Sequence, residues 1–377
     1  MLHLSNSMRN TYKHWLKTGL VAVLLFSLSV GLSAAWWDGD SSPKRESILP
    51  QGNAITDGQA LLRYALPIDN EAARKIQLSL EGIKSQLRGK RWSNISGNIT
   101  TASRVLSTKE AELLANIPEE RQPQAQLLVE QIKQDIDSLR AAVEVKDPQT
   151  LLLTQGKILD NIGTLEELMV KEFPFEVPAE YSNLPQLKGR ATVEIKTNKG
   201  NLTVVVDGYS APVTAGNFVD LVQRGFYDGL KFIRSEESYA LQVGDPEGAD
   251  DGFIDPKTGK YRGIPLEILA QEDQEPIYNT TFEEIGRYQD HPVLPFSAFG
   301  TLALARPEAI PDGGSSQIFF FLFQPELTPA GLNLLDGRYA VFGYVTEGKE
   351  VLEELRKGDV IESAKVIRGA DNLVQPS

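Results

Sequence analysis

The stretch FIRSEESYALQVGDP, residues 232–246, combines three functional side chains in a short segment. Arg234 follows the first phenylalanine by two positions, Tyr239 lies five positions after the arginine, and Gln242 lies three after the tyrosine. A Gly-Asp pair follows before Pro246. A cationic donor, an aromatic ring and an amide therefore lie close together in the chain, and this stretch is the candidate functional centre.

Short strand-like segments surround this stretch. Upstream, ATVEIKTNKGNLTVVV (191–206) has a period of two and predicts a hairpin that turns at Asn198 to Gly200. The segment APVTAGNFVDLVQRG (211–225) predicts a helix that ends at Gly225. Many short apolar strands separated by Gly and Pro predict a barrel or a sandwich. The downstream strand-like segments are GTLALAR (300–306), GGSSQIFFFLF (313–323) and LLDGRYAVFGYVTEG (334–348).

Taken in this order, the hairpin, the Pro-x-Thr-x-x-Asn-Phe helix, the 232–246 stretch and the downstream segments resemble cyclophilins over about residues 190–370. The resemblance implies a closed antiparallel β-barrel of eight strands with a helix capping each end. The polar stretch from Gly248 to Phe299 looks longer than its equivalent in minimal cyclophilins, and it predicts an inserted set of loops with a short helix at Thr281 to Ile285.

The resemblance also implies peptidyl-prolyl cis-trans isomerisation, without a cofactor or a metal. Rotation about an X-Pro bond faces a barrier of about 18–20 kcal/mol, and a site lowers it by binding the twisted amide better than either planar form. By resemblance, Arg234 is the catalytic donor near the proline nitrogen and Gln242 holds the substrate backbone. The implied substrate-binding residues are Tyr239, Leu304, Phe319 and Leu335 around the proline ring, and Ala305, Arg306, Gln317 and Tyr339 along the peptide groove.

Each assignment has a structural alternative. Arg234 could form a surface ion pair with Glu236 or Glu237, Phe319 could be a strand core residue, and Gln317 could be a turn residue. The chain also departs from the family pattern, and the departures predict weak isomerase activity and low affinity for cyclosporin. They are Ile233 for histidine, Tyr239 for phenylalanine, Arg306 for asparagine, Leu334 for tryptophan and Tyr339 for a groove histidine.

Residues 56–173 have a helical rather than a strand-like period. Apolar stripes at spacings of three and four predict an antiparallel bundle of about four helices. Asp147 with Pro148 is a helix start signal, and Ser107 with Glu110 predicts a capping box. Residues 174–190, with three prolines, predict a linker, although Phe173, Phe175 and Tyr181 could instead pack across a domain junction. The chain thus has two predicted domains, all-α and then all-β, the second spanning 191–370.

The N-terminal residues predict export. A basic start, an apolar run from Gly19 to Ser33 and small residues before Trp36 are typical of a signal peptide over residues 1–35. Residues 36–55 form a polar connector. The expected location is a thylakoid lumen or a periplasm, with membrane contact only through the leader. An uncleaved membrane anchor is the alternative.

Composition excludes several kinds of chemistry. The chain has no cysteine, which rules out disulfides, thiol catalysis and Fe–S clusters. His3 and His14 lie in the leader, so only His291 remains for the rest of the chain, and Ser-His or His-metal chemistry is not expected. The net charge of −13 disfavours nucleic acid and anionic lipid as partners.

A leader, a helical domain and a divergent cyclophilin domain together resemble the forty-kilodalton thylakoid-lumen cyclophilins of cyanobacteria and chloroplasts. In these the helical part resembles a photosystem II extrinsic subunit of the PsbQ type, which implies a role in photosystem II assembly. Two hypotheses follow. One is an exported isomerase acting on prolyl-containing client polypeptides, and the other is a non-catalytic assembly factor that binds lumenal segments of photosystem II.

Overall fold

The computed structural model describes residues 55–236, 239–323 and 333–376. All of them belong to one compact unit, Arg45–Ser377. The predicted signal peptide and almost all of the predicted connector lie outside the described residues, as does Glu237. Within the described ranges, no helix is both long and apolar enough to cross a membrane.

The first described part of the chain is helical. Asp57 caps the first helix by accepting a hydrogen bond from the Ala60 amide at 3.0 Å, and Pro67 follows the C-cap residue Leu66. Before the sheet, the described residues form helices α1 Gly58–Ala65, α2 Glu71–Glu81, α3 Ile83–Arg88, α4 Trp92–Thr108, α5 Glu110–Ala115, α6 Gln122–Glu144 and α7 Pro148–Met169. Helices α2 and α4 to α7, with Ile83 of α3, share one apolar core built from the predicted stripes.

Two details of the helix boundaries test the sequence signals directly. Asp147 caps α7 through its Oδ1, which accepts hydrogen bonds from the amides of Gln149 and Thr150, as predicted. The predicted capping box at Ser107 is wrong, because α4 continues through Thr108 and the Ser107 hydroxyl donates instead to the Ser103 carbonyl. A serine inside a helix satisfies its hydroxyl in this way without starting a new helix.

The segment predicted as a linker packs against the second part of the chain. The Tyr181 ring lies 4.9 Å from the Tyr278 ring between centroids, and Leu187 is fully buried. Strand β1, Gln186–Leu187, pairs with β14, Leu373–Val374, near the end of the chain. These contacts favour the alternative reading, in which the segment packs, over a free linker.

The second part is a curled sheet of eight antiparallel strands. The order across the sheet is β13-β2-β3-β12-β10-β11-β5-β4. Helix α8, Pro212–Gln223, packs against β1, β13 and β14, and helix α9, Lys349–Glu354, packs against β3. The strands of this sheet are β2 Arg190–Thr197, β3 Gly200–Asp207, β4 Arg234–Glu236, β5 Ala240–Val243, β10 Thr301–Leu304, β11 Ile318–Phe321, β12 Val341–Glu347 and β13 Ile361–Arg368.

The prediction of a closed barrel is wrong for the strands that the structure describes. The edge strands β4 and β13 do not pair with each other. The chain before β4 meets the start of β13 at an isolated bridge between Lys231 and Val360 and through a few backbone hydrogen bonds, such as that from the Ile361 amide to the Leu230 carbonyl at 2.9 Å. The sheet is a half-barrel because the contact between its two edges does not extend into a ladder between β4 and β13.

The inserted region forms two small ribbons rather than part of the large sheet. Strands β6 Ile254–Asp255 and β7 Lys260–Tyr261 pair with each other, as do β8 Glu267–Ile268 and β9 Ile277–Tyr278. The helix predicted at Thr281 to Ile285 is a turn instead. There the Glu284 carboxylate accepts hydrogen bonds from the Thr281 amide and hydroxyl, which closes the turn locally.

The sheet buries both of its faces. Its concave face holds the main core, which includes Leu241, Leu302 and Phe320. Its outer face carries a second apolar cluster, in which Leu61 and Leu62 of α1 pack with residues of the strands, Ala303 and Phe321 among them. Gly58 permits this contact, because a Cβ there would lie 2.7 Å from the Cβ of Tyr344.

A buried arginine fixes the junction between the two parts. Arg190, at the start of β2, donates to the Asp207 carboxylate at 2.8 Å and to the Leu62 carbonyl of α1. Its guanidinium also lies 3.6 Å from Glu167 of α7. Only 6% of Arg190 is exposed, so its charge depends on these partners rather than on water.

Several buried carboxyl groups have raised pKa values. Burial raises the pKa of Asp336 to about 6, and the shifts of two glutamates are larger. Burial raises the pKa of Glu166 to about 7, although Arg74 lies 3.4 Å away. Burial also raises the pKa of Glu267 to about 7, although this carboxylate accepts hydrogen bonds from the Val213 and Thr214 amides at the start of α8. Both groups therefore hold protons more tightly in the folded chain than an unfolded glutamate does, whose pKa is about 4.3.

We expect the folded state to be less stable at pH 8 than at pH 5. Between these values the folded chain binds more protons than the unfolded chain, so the free energy of unfolding falls as pH rises from about 4.3 through about 7. Thermal unfolding of wild type at the two pH values measures the difference. Glu166→Gln, which cannot ionise, should shrink it, and a wild-type midpoint that rises towards pH 8 would contradict the assignment.

The contact between α1 and the sheet should be essential to stability. Leu61→Ala removes a side chain that is only 1% exposed and should lower the free energy of unfolding by about 2–5 kcal/mol, because a cavity remains. The matched control is Leu153→Ala in α7, where 69% of the side chain is exposed and the expected change is within about 0.5 kcal/mol. Urea denaturation compares the two, and equal effects would show that α1 is not docked.

Candidate active site

The register of the strands places three predicted site residues, Arg234, Gln242 and Phe319, in one row across the sheet. Arg234 of β4 lies opposite Gln242 of β5, and Gln242 lies opposite Phe319 of β11. Phe319 in turn lies opposite Ala303 of β10. Directly paired residues of antiparallel strands project from the same face of the sheet, so this row crosses four strands on the outer face.

A cleft of about 340 Å³ opens along this row. Nine of the ten residues that the resemblance selects line it, so residues far apart in sequence converge on one surface. They are Arg234, Tyr239, Gln242, Ala305, Arg306, Gln317, Phe319, Leu335 and Tyr339. The alternative ion pair of Arg234 stays untested, because the structure describes Glu236 by its backbone alone and does not describe Glu237.

Leu304 is the one candidate that the structure places elsewhere. Successive side chains of a strand point to opposite faces, so Ala303 and Leu304 of β10 cannot both face outward. Ala303 joins the outer cluster, whereas Leu304 joins the concave core. The prediction that Leu304 lines the proline pocket is therefore corrected, and Leu304 is a core residue at 3% exposure.

Aromatic rings form the floor of the cleft. The ring of Phe319 is stacked on Phe296 at 6.0 Å and meets the edge of Tyr339 at 5.6 Å. Phe319 and Tyr339 both line the cleft together with Arg234, and an aromatic ring offers an apolar face that suits a proline ring. Tyr239 is 41% exposed at the rim, where its ring meets Phe321 edge-on at 5.8 Å.

Hydrogen-bonded glutamine side chains form the polar wall of the cleft. The Gln242 Nε2 donates to the Gln317 Oε1 at 2.6 Å, and the Gln317 Nε2 donates to the Asp251 carbonyl at 2.8 Å. Gly244, directly after β5, allows this close packing, because its φ is +108° and a Cβ would lie 2.2 Å from the Ser316 carbonyl oxygen. Gln317 is thus a groove residue with fixed orientation.

Arg306 is held in place by backbone carbonyls. Its guanidinium donates to the carbonyls of Pro307 at 3.0 Å, Glu308 at 2.8 Å and Arg338 at 2.7 Å. It also lies 5.3 Å from the centroid of the Tyr339 ring. Two arginines, Arg234 and Arg306, therefore line one cleft of an acidic protein.

Sequence reasoning missed several lining residues. Ala240 could have been found from its period-two relation to Gln242, but Asp251 and Tyr261 come from the inserted region, whose polar sequence carries no period. Tyr261 reaches the cleft by donating its hydroxyl to the Gly313 carbonyl at 3.0 Å. The missed residues are Ala240, Asp251, Tyr261, Pro307, Gly313 and Ser315.

The cleft offers binding and polarisation rather than proton transfer. No histidine lines it, and across the described ranges no cluster of His, Asp or Glu is arranged to hold a metal ion. Burial and the nearby Asp251 raise the pKa of Asp245, the acid of the Gly-Asp pair. A cation, oriented amides and an apolar floor are suited to holding a peptide and stabilising a polarised amide.

Substitution of Leu335 and of Leu304 distinguishes a residue that lines the cleft from a residue of the core. Leu335→Ala should weaken binding of an Ala-Pro peptide several-fold, because Leu335 lines the cleft, with a smaller loss of stability. Leu304→Ala should instead lower the free energy of unfolding by about 2–5 kcal/mol and leave peptide affinity unchanged. NMR titration and urea denaturation measure the two effects, and the reverse pattern would contradict the placement of both residues.

Known families match both parts of the chain. Residues 57–170 match the family described as peptidyl-prolyl cis-trans isomerase CYP38-like, PsbQ-like domain. Residues 192–372 match the family described as cyclophilin type peptidyl-prolyl cis-trans isomerase/CLD. A solved cyclophilin from Cryptosporidium parvum, crystallised in the presence of the dipeptide Ala-Pro, is 22% identical with a TM-score of 0.34, covering 47% of this chain and 99% of its own.

Two relatives match most of the chain. A protein from Synechocystis, provisionally named a thylakoid lumen peptidyl-prolyl cis-trans isomerase, is 55% identical over 95% of both chains. The chloroplastic peptidyl-prolyl cis-trans isomerase CYP38 of Arabidopsis thaliana is 46% identical, over 88% of this chain and 78% of its own. The chain therefore belongs to the cyclophilin-type peptidyl-prolyl cis-trans isomerases, in the group that carries a PsbQ-like helical domain ahead of the cyclophilin domain.

Proposed function

We propose that the cleft binds prolyl segments of client polypeptides and catalyses their cis-trans isomerisation at a low rate. The observation that carries the proposal is the row of Arg234, Gln242 and Phe319 on one face of the sheet. The row sets a cation and an amide beside an apolar floor, which are the parts that a site for a twisted prolyl amide requires.

In the proposed mechanism the proline ring packs on Phe319 and the substrate backbone is held by Gln242. Arg234 donates to the prolyl nitrogen as it becomes pyramidal, which stabilises the twisted amide relative to both planar forms. No bond is broken and no proton is transferred. The proposal of a low rate rests on two departures: Ile233 supplies no polar group beside Arg234, and the hydroxyl of Tyr239 adds a desolvation cost at the rim.

We also propose that the protein acts in a thylakoid lumen, as the names of its relatives suggest, with a periplasm as the alternative. The leader that would direct export lies outside the described residues. Prolyl-containing clients and lumenal segments of photosystem II are the proposed partners, and membrane contact is proposed only for the leader.

A second candidate function is that of a non-catalytic assembly factor for photosystem II. One observation favours it: Phe319, the floor of the cleft, belongs to the same apolar cluster as Leu61 and Leu62 of α1. The helical part therefore contacts the face of the sheet that carries the cleft. In this role the cleft would bind a proline-containing segment without catalysing isomerisation of its prolyl bond.

Arg234→Ala should lower kcat/KM for an Ala-Pro peptide by about 10- to 100-fold, since a hydrogen bond to a charged group contributes about 1.5–3 kcal/mol. NMR exchange spectroscopy on the full chain measures the rate. Lys231→Ala is the matched control, because Lys231 is an exposed cation that does not line the cleft, and its rate should stay at the wild-type value.

The outcomes separate the two candidate functions. An Arg234→Ala rate equal to wild type would overturn the catalytic assignment of Arg234. Peptide binding by wild type with no rate above the uncatalysed exchange would reject the isomerase and favour the assembly factor. Loss of rate in both variants would indicate a general charge effect rather than a positioned donor.

A further inference from the structure

A second cavity, of about 320 Å³, lies at the junction of the helical part and the sheet. The end of α7 and the residues after it line one side, including Thr164 and Lys171. Lys188 before β2, and Arg368 at the end of β13, line the other. The cavity is separate from the cleft, with which it shares no lining residue.

Five cationic side chains line this cavity, namely Arg121, Lys171, Lys188, Arg190 and Arg368. Only two carboxylates do, those of Glu167 and Glu172. This is the opposite of the balance of the chain, whose net charge is −13. A concentration of one sign of charge in a concave site raises the local concentration of the opposite ion.

The carboxylate of Glu167 satisfies only part of this charge. It lies 3.6 Å from Arg190 and 3.4 Å from Arg368. Within the described residues, no ion pair joins Arg121, Lys171 or Lys188 to any acid. Arg121 is accounted for by the C-terminal end of α7, where it donates to the Val170 carbonyl at 2.8 Å, and Lys171 is exposed to solvent.

Lys188 has no such explanation. Its ammonium lies 4.1 Å from the centroid of the Phe173 ring, and burial lowers the pKa of Lys188. The charges of Glu267 and Glu176 partly counter this effect at longer range, but neither carboxylate forms an ion pair with Lys188 among the described residues, so an anion in the cavity would offset the remaining desolvation cost. The Phe173 ring is itself stacked on Tyr209 at 6.2 Å, so an apolar wall stands beside the charge.

We propose that this cavity binds a small organic oxyanion, a phosphate or polycarboxylate compound, through Lys188 and Lys171, with its carbon part against Phe173. A volume of about 320 Å³ exceeds what a single inorganic phosphate fills and lies in the range of pockets for small molecules. Because residues of both parts line the cavity, a bound anion would join the helical part to the sheet.

Isothermal titration calorimetry on the full chain tests the site, with inorganic phosphate and citrate as probes at constant ionic strength. Both carry the oxyanion chemistry, and their relative affinities distinguish a phosphate site from a carboxylate site. The double variant Lys171→Ala/Lys188→Ala should bind the preferred probe about tenfold or more weakly, since it loses two charge-assisted contacts.

The matched control is Lys75→Ala/Lys84→Ala, which removes two exposed helical lysines outside the cavity and should bind as wild type does. This control also separates site binding from the general stabilising effect of phosphate and citrate on folded proteins. The proposal is overturned if wild type binds neither probe, or if both double variants weaken binding equally.

Hydrogen–deuterium exchange on wild type tests whether the anion binds in this cavity, even if a variant does not fold. The preferred probe should slow amide exchange at residues 170–173 and 188–190 together, because these segments face one another across the cavity. Slowing at only one of the two segments, or at neither, would contradict a bridging site.

Discussion

The buried guanidinium of Arg190 is the interaction on which the arrangement of the molecule depends. It connects the two strands of the first hairpin through Asp207, reaches the end of α1 through the Leu62 carbonyl, and faces Glu167 of α7. Removing one partner of a buried ion pair typically costs about 3–5 kcal/mol, because the other charge is left without compensation. The helical part and the sheet are thus held at a point where neither can move without exposing an unpaired charge.

This constraint places α1 on the outer face of the sheet, and the outer face is where the cleft lies. Leu61 and Leu62 pack in the cluster that also contains Phe319, so the apolar floor of the cleft is continuous with the packing between the two parts. A change at the junction can therefore reach the cleft through contacts between side chains. The electrostatic link at Arg190 and the apolar link at α1 act on the same face of the sheet.

The sequence predicted the elements better than it predicted their closure. Periods of two and of three to four located the hairpin and the helices, because each pattern reflects burial of one face. Whether β4 would pair with β13 could not be inferred, since a period of two shows which face a strand buries and not which strand it pairs with. The alternation of side chains along a strand also explains the site, because it places Gln242 and Phe319 on one face of the sheet. Applied to Ala303 and Leu304, the same alternation would have excluded Leu304 from the predicted cleft residues. Asp251 and Tyr261 lay beyond such reasoning, because an irregular insertion brings them to the cleft.

Buried carboxyl groups give the body of the protein its expected response to pH. Burial raises the pKa of Glu166 and that of Glu267 to about 7. The row of paired side chains at the cleft, Arg234, Gln242 and Phe319, contains no carboxyl or imidazole group. A cation and oriented amides can polarise a peptide bond without proton transfer, and no histidine lines the cleft. Acidification from pH 8 to pH 5 should therefore stabilise the fold, because both buried carboxyls hold protons more tightly in the folded chain than in the unfolded chain.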